Sequence, residues 1–145
     1  MKINSYHNWL VPLEIAKKIK EIGFDEYCIF YTRVPQKDDI SGYIISVCHD
    51  PYDRIIPGMR NRDHIDTNTT FGVSLPTFEQ VFEWFREKGF QSHIEYTLDN
   101  SMFKISISGL FLQTKDSYFK TYEEAREALV NKLIEFYEDN SWVTY

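Results

Sequence analysis

The sequence predicts an α+β domain in which helices pack on antiparallel sheet, with the element order α-β-β-α-β-β-α. Two kinds of pattern predict this class. Three segments place apolar residues at helical spacing, and two segments alternate apolar and polar residues as strands do. The chain has 145 residues, enough for one sizeable core and too few for two ordinary domains. We therefore expect a single domain over residues 1–145.

The N-terminal part of the sequence reads as a helix followed by a hairpin. Pro12 opens a helix that runs to about Ile22 with one apolar stripe, and Gly23 ends it. Residues 26–33 then carry apolar side chains on both faces, which predicts a buried central strand. A short polar connection leads to a second strand at residues 43–48, so we expect an antiparallel hairpin.

The two cysteines fall in these two predicted strands. If Arg33 lies opposite Tyr43, the same register places Cys28 opposite Cys48, and a slip of one residue undoes that pairing. The cysteines form no CxxC pair and have no metal-ligand spacing. We expect two buried free thiols, with a cross-strand disulfide as the alternative.

The clearest predicted element is a helix from Thr77 to Lys88. Thr77 and Gln80 have capping-box spacing, and Gly89 stands where a left-handed residue ends a helix. The large apolar residues of this segment share one stripe: Phe78, Val81, Phe82 and Phe85. We expect the helix to insert this aromatic face into the core.

A second hairpin and a third helix complete the predicted fold. Strands at residues 93–98 and from about 102 to 112 flank a polar turn, and a capping box at Thr121 begins a helix that runs to about Glu138. Alternation predicts inward-facing side chains at Ile94, Tyr96, Leu98, Phe103, Ile105 and Ile107. The helix is expected to bury Tyr122, Ala125, Leu129, Leu133 and Phe136.

The two halves of the sequence share a short pattern. Residues 20–24 and residues 86–90 each end a predicted helix in Gly-Phe and lead into a strand and a hairpin. The pattern is consistent with an internal αββ pseudo-repeat. Chance convergence on a common helix ending explains it equally well.

A long irregular segment at about residues 49–70 interrupts the pattern. Loops longer than roughly 12–15 residues are uncommon in compact domains and are usually functional or disordered. Imidazole and carboxylate groups stand at both ends of this one, at His49, Asp50, His64 and Asp66, and these groups bind divalent metals. Their spacing matches no known metal site, so the competing interpretation is an ordinary polar loop.

The same segment carries three arginines, Arg54, Arg60 and Arg62, which form a candidate clamp for a phosphate or carboxylate group. The competing interpretation is that neighbouring aspartates neutralise them at the surface. Trp84 lies at the rim of the apolar stripe of its helix and is a candidate exposed contact residue. The alternative for Trp84 is a ring packed under a neighbouring loop.

Composition narrows the functional classes. The net charge of −6 disfavours nucleic acid as a partner, because unspecific phosphate binding needs a positive field. No apolar run reaches the roughly 18 residues of a membrane span, and the first residues lack a signal peptide's apolar core. We therefore expect a cytoplasmic protein without a membrane partner. The GxSxG, Walker A, HExxH and GxGxxG signatures are missing, so we expect no catalytic residues and no cofactor.

Four segments in the C-terminal half resemble a family of small uncharacterised proteins carried by phages and mobile elements of gut bacteria. They are PTFEQ at 76–80, FREK at 85–88, KTYEEA at 120–125 and LI at 133–134. These motifs are cap and core signatures, so the resemblance speaks to fold more than to activity. The family brings no established catalytic residues that this chain inherits.

Three functions therefore compete. The first is a small non-enzymatic interaction or accessory protein of a phage or mobile element that binds another protein. The second is a small metal-dependent or acid–base enzyme centred on the segment between His49 and Asp66. The third is a nucleic-acid binder that uses the loop arginines. We favour the first. The sequence indicates neither the partner's identity nor the oligomeric state.

Overall fold

The computed structural model describes residues 8–36, 44–48, 52, 58–109, 112–113 and 117–140. Contacts divide the chain into two compact units, residues 1–77 and residues 78–145. Both contain helix and antiparallel sheet, which confirms the α+β class and the predicted succession of helices and hairpins. The single domain over 1–145 stays a prediction.

The first unit contains helix α1 (Leu13–Glu21) and a sheet of three antiparallel strands. The strands are β1 (Phe30–Pro35), β2 (Ser46–Val47) and β3 (Thr70–Leu75), in the spatial order β2-β1-β3. The first predicted strand is therefore central, as expected. The sequence pattern predicts no strand at the position of β3. Its alternation is hidden because four successive residues, from Gly72 to Leu75, are buried.

The register of the first hairpin differs from the predicted one by a single residue. Phe30 lies opposite Val47 and Tyr31 opposite Ser46, so Cys28 and Cys48 are not cross-strand partners. Both cysteines are nevertheless buried and free, as predicted. They are also close, because the Cys48 Sγ lies 3.5 Å from the Cys28 carbonyl oxygen. The strand begins at Phe30 rather than at residue 26, and before it Tyr27 and Ile29 are about half exposed while Cys28 is buried.

Residues 58–67, here called the strap, cover one face of β3. Successive residues of a strand point to opposite faces, so Phe71 and Gly72 mark the two sides of this sheet. The Lys20 ammonium of α1 lies 5.2 Å from the centroid of the Phe71 ring, which places α1 on that side. The His64 side chain of the strap lies against Gly72 on the other side. The sheet is thus enclosed between a helix and a strap.

The strap is fastened to the chain that precedes β1. Met59 exchanges two backbone hydrogen bonds with Cys28, at 3.1 and 2.9 Å. This contact requires glycine at position 58, where φ is +125° and an added Cβ would lie 2.4 Å from the Cys28 carbonyl oxygen. Asn61 opens a short 3-10 helix (Asn61–Asp63) and donates from Nδ2 to the Phe24 carbonyl at 2.8 Å.

The second unit begins with helix α2 (Phe78–Glu87) and ends with helix α3 (Tyr122–Asn140). Between them lie β4 (Gln91–Thr97), β5 (Met102–Gly109), β6 (Leu112–Gln113) and β7 (Ser117–Phe119). β5 is central, with β4 on one side and β6 and β7 pairing along the other. The predicted stripe of α2 is buried, and so are Ile105, Ile107, Ala125, Leu129 and Leu133, as expected.

The end of this unit near the β4–β5 turn departs from the prediction. Tyr96 is 49% exposed, Leu98 85% and Tyr122 44%, although alternation and helical spacing place all three inward. The strand and helix faces are correct, but the hairpin tip extends past the part of the sheet that is buried.

The shared Gly-Phe pattern corresponds to the same helix ending in both units. Gly23 and Gly89 have φ of +102° and +97°. The amide of Phe24 donates to Ile19 and that of Phe90 to Phe85, both at 2.9 Å, as in a Schellman motif. The likeness stops there, since the first strand of the hairpin is central in one sheet and an edge in the other.

Helix length and hydropathy give one further result. Within the described residues, no helix is long and apolar enough to cross a membrane.

Candidate functional site

Two of the predicted metal ligands, His64 and Asp66, instead attach the strap to β3. The His64 Nε2 lies 2.9 Å from the Ser74 hydroxyl, and the Asp66 carboxylate accepts from the Gly72 amide at 3.4 Å. Both groups therefore bind β3. His49 and Asp50 lie outside the described residues. Among the residues described, no cluster of three or more His, Cys, Asp or Glu could hold a metal ion.

The His64 ring lies in a desolvated environment. Its centroid is 5.4 Å from that of the Tyr31 ring, and only 9% of the residue is exposed. Burial lowers the pKa of His64 below 6.5, the positive charges of Lys20 and Arg33 lower it further, and Asp63 and Asp66 oppose them. The neutral imidazole is the form that this position stabilises.

Ser74 and His64 are the residue types of a nucleophile–base pair, but their hydrogen bonds are those of a structural contact. Ser74 is completely buried, and its hydroxyl donates to the Met59 carbonyl at 3.0 Å. The lone pair of the Ser74 oxygen then accepts from His64 Nε2–H, which leaves the hydroxyl proton directed away from the imidazole. A nucleophile needs the opposite arrangement, with its proton on the base and its oxygen open to substrate.

The described arginines of the predicted clamp are paired with aspartates. Arg60 forms a bidentate pair with Asp63, both contacts at 3.1 Å, and its guanidinium lies 4.9 Å from the Tyr27 ring centroid. Hydrogen bonds from Arg60 lower the pKa of Asp63. Arg62 binds Asp25 at 2.6 Å. These contacts match the competing interpretation, neutralisation by neighbours, for both residues. Arg54 lies outside the described residues.

Trp84 is buried, with only 4% of its surface exposed. Its ring packs at 5.0 Å from Phe85 and 5.2 Å from Tyr137 of α3, and the Lys88 ammonium lies over it. The exposed contact role predicted for Trp84 is wrong, because α3 covers the rim of the α2 stripe. The ring belongs to the core of the second unit.

Four large apolar residues of the second unit, here called the aromatic end, are partly or largely exposed: Tyr96, Leu98, Phe103 and Tyr122. Tyr96 lies opposite Phe103 in the β4–β5 ladder, with ring centroids 5.1 Å apart. Tyr122, at the first position of α3, packs edge-on against Phe103 at 5.9 Å. Leu98, in the turn after β4, is the most exposed large apolar residue described.

Rings that support one another and still face water are typical of contact surfaces rather than of cores. The aromatic end has few rotatable bonds, and the ring contacts hold its members in place. Acidic groups flank it in sequence, since Asp99 follows Leu98 and Glu123 and Glu124 follow Tyr122. Basic groups are also near, because Lys104 follows Phe103 and the Arg126 guanidinium lies 5.6 Å from the centroid of the Tyr122 ring. Sequence periodicity does not identify this surface. It assigns each residue to a face of a strand or helix, but it does not show how much of that face is buried by other elements.

No family model, no curated protein and no solved structure matches this chain. The resemblance to proteins of phages and mobile elements stays a prediction.

Proposed function

We propose that this protein acts by binding another protein and that the aromatic end is its contact surface. The observation that carries the proposal is that Tyr96, Leu98 and Tyr122 are exposed while the rings of Tyr96 and Tyr122 both pack against Phe103. Tyrosines that bury a large area at low entropic cost dominate many protein interfaces. A neighbouring leucine supplies apolar area of the kind that drives association.

The partner's surface is expected to combine an apolar pocket with a basic rim. The pocket accommodates Leu98 and the edge of the Tyr96 ring. The rim pairs with Asp99, Glu123 and Glu124, whose charges match the acidic balance of the whole chain. Rim pairs of this kind set association rate and specificity more than affinity.

The wider assignment is an accessory protein of a phage or mobile element that works in the cytoplasm. It rests on the family resemblance of the C-terminal half and on the missing catalytic signatures. The described residues of the metal and nucleic-acid alternatives, His64, Asp66, Arg60 and Arg62, all have structural partners within the first unit, and the proposal therefore does not use them.

Site-specific photo-crosslinking tests the proposal. A photoreactive amino acid replaces Leu98 in one variant and Ile65 in another, since Ile65 is similarly exposed at 78% but lies on the strap. Both variants are expressed in the native host cells and irradiated. We expect a protein adduct from position 98 that position 65 does not form.

The crosslinked protein is then purified and titrated with the wild-type chain, because capture alone does not establish direct binding. A saturable one-to-one complex supports the proposal. No direct binding, equal adducts from both positions, or an adduct to nucleic acid instead of protein would overturn it.

A further inference from the structure

The two sheets differ in whether the outward backbone groups of an edge strand are hydrogen-bonded. In the first unit the outer edge of β3 is occupied by side chains. Asp66 accepts from the Gly72 amide at 3.4 Å, Lys20 donates to the Gly72 carbonyl at 2.8 Å, and Asn61 accepts from the Ser74 amide at 3.0 Å. A sheet edge closed in this way cannot accept another strand.

The outer edge of β4 in the second unit is not closed by any described residue. β4 spans seven residues and pairs with β5 along its whole length. In an antiparallel pair, every second residue of an edge strand directs both its amide and its carbonyl outward. Within the described ranges, no backbone or side-chain group bonds to those outward groups of Gln91–Thr97. Such an edge is a template for a further strand.

The sequence of β4 is complementary to itself when two copies run antiparallel about Ile94. In that register Ile94 meets Ile94 of the second copy, and His93 of each chain meets Glu95 of the other. The His93 side chain shares a face with Ser106, at 2.7 Å, and Glu95 lies opposite Lys104 in the β4–β5 ladder. Both are exposed. The pairing would extend a row that runs from Lys104 through Glu95 to the second chain's histidine.

The neighbouring symmetric registers lack this complementarity. A two-fold axis perpendicular to the sheet pairs residues that lie on the same face. The axis must therefore pass through a residue, and the nearest alternatives to Ile94 are Glu95 and His93. Centring on Glu95 sets two carboxylates opposite each other, which is unfavourable. Centring on His93 sets the two imidazoles together and leaves Glu95 opposite Gln91.

We propose that two copies of this chain associate through β4, in an isologous antiparallel pairing centred on Ile94, so that their two four-stranded sheets join into one. Each copy uses the same patch, as two-fold symmetry requires. The proposal does not rest on the partner proposed above, and it is tested on the purified chain alone.

Sedimentation velocity over a range of concentrations gives the first test. The wild-type chain is expected to form a reversible dimer. His93→Glu places two carboxylates opposite each other on both sides of the central Ile94 pair. We expect at least a tenfold weaker dimer. The double variant His93→Glu with Glu95→His restores opposite partners at the wild-type net charge and is expected to recover dimerisation. A monomer at every concentration, or a dimer that ignores these changes, would overturn the proposal.

Disulfide trapping under glutathione redox buffer tests the register. Only residue 94 meets its own copy, with Cβ atoms about 4.5–5.5 Å apart for directly opposed residues. We expect Ile94→Cys to form a covalent dimer. His93→Cys alone should not, while an equimolar mixture of His93→Cys and Glu95→Cys should. Equal crosslinking by His93→Cys and Ile94→Cys, or none by either, would contradict the pairing even if His93→Glu failed to fold.

Discussion

His64 lies directly on the backbone of Gly72: a Cβ added to Gly72 would lie 2.4 Å from the His64 Cβ. The contact explains why β3 contains a glycine although its φ is ordinary. It also explains why a segment that reads as an irregular loop packs as the third layer of the first unit, with His64 joined to Ser74.

Gly72→Ala should destabilise the protein by about 1–3 kcal/mol, the usual cost of overpacking a filled site. The added methyl group forces the strap off β3. Urea denaturation of a double-mutant cycle with His64→Gly checks the cause, because removing the His64 Cβ should reduce the cost of the Gly72 substitution. Additive free energies of unfolding would show that the clash is elsewhere.

The free energy of unfolding should fall as the pH drops below about 6.5, because the unfolded chain takes up a proton on His64 that the folded chain resists. The sign follows from the lowered folded-state pKa of His64, so its contribution is complete above 6.5. Urea denaturation of wild type and His64→Gln across this window measures it. If the free energy of unfolding changed with pH equally in wild type and His64→Gln, the environment assigned to His64 would be contradicted.

Cys28 and Cys48 should react slowly with a thiol reagent in the folded protein and quickly after unfolding. Burial, then the neighbouring Cys48 thiol and Glu26, raise the pKa of Cys28 to about 12. Burial also raises the pKa of Cys48. Thiolate, the reactive form, is therefore scarce at neutral pH. Mass spectrometry of labelled protein decides, and rapid labelling of both residues in the native state would show that this region is open.

Phe85→Ala should destabilise by roughly 3–5 kcal/mol, the cost of emptying a buried aromatic site. Phe85 is fully buried and packs against Trp84, Phe90 and Tyr137. Glu83→Ala on the same helix serves as the control.

Glu83 is exposed and pairs with Arg86 at the surface, so its loss should cost about 0.5 kcal/mol or less. Chemical denaturation compares the two variants. A larger cost for Glu83 would mean that the helix buries a different face.

Local patterns were sufficient for the helices and their ends. The Gly-Phe endings, the α2 stripe and the inward row at Ile105 and Ile107 depend on spacing within one element, and the structure confirms them. β3 was missed because its two faces are covered by different elements. A strand enclosed by α1 and the strap is buried on both faces, so its apolar and polar residues do not alternate. Its residue 72 is a glycine because a larger side chain would clash with His64.

The candidate site was missed for a related reason. Alternation places Leu98 and Tyr96 on the inner face of the sheet but does not indicate how far the apolar cover extends along it. The strap residues were misread in the opposite direction. His64 and Asp66 resemble ligands in the sequence, and only the path of the chain shows that they bind Ser74 and Gly72.

The most direct test of a protein-binding aromatic end is a pair of calorimetric titrations of the purified partner. Leu98→Ser and Ile65→Ser remove apolar side chains of similar exposure, one at the aromatic end and one on the strap. We predict that Leu98→Ser weakens binding by at least about tenfold, or 1.4 kcal/mol, while Ile65→Ser matches wild type. Equal affinities for Leu98→Ser and wild type would contradict the account.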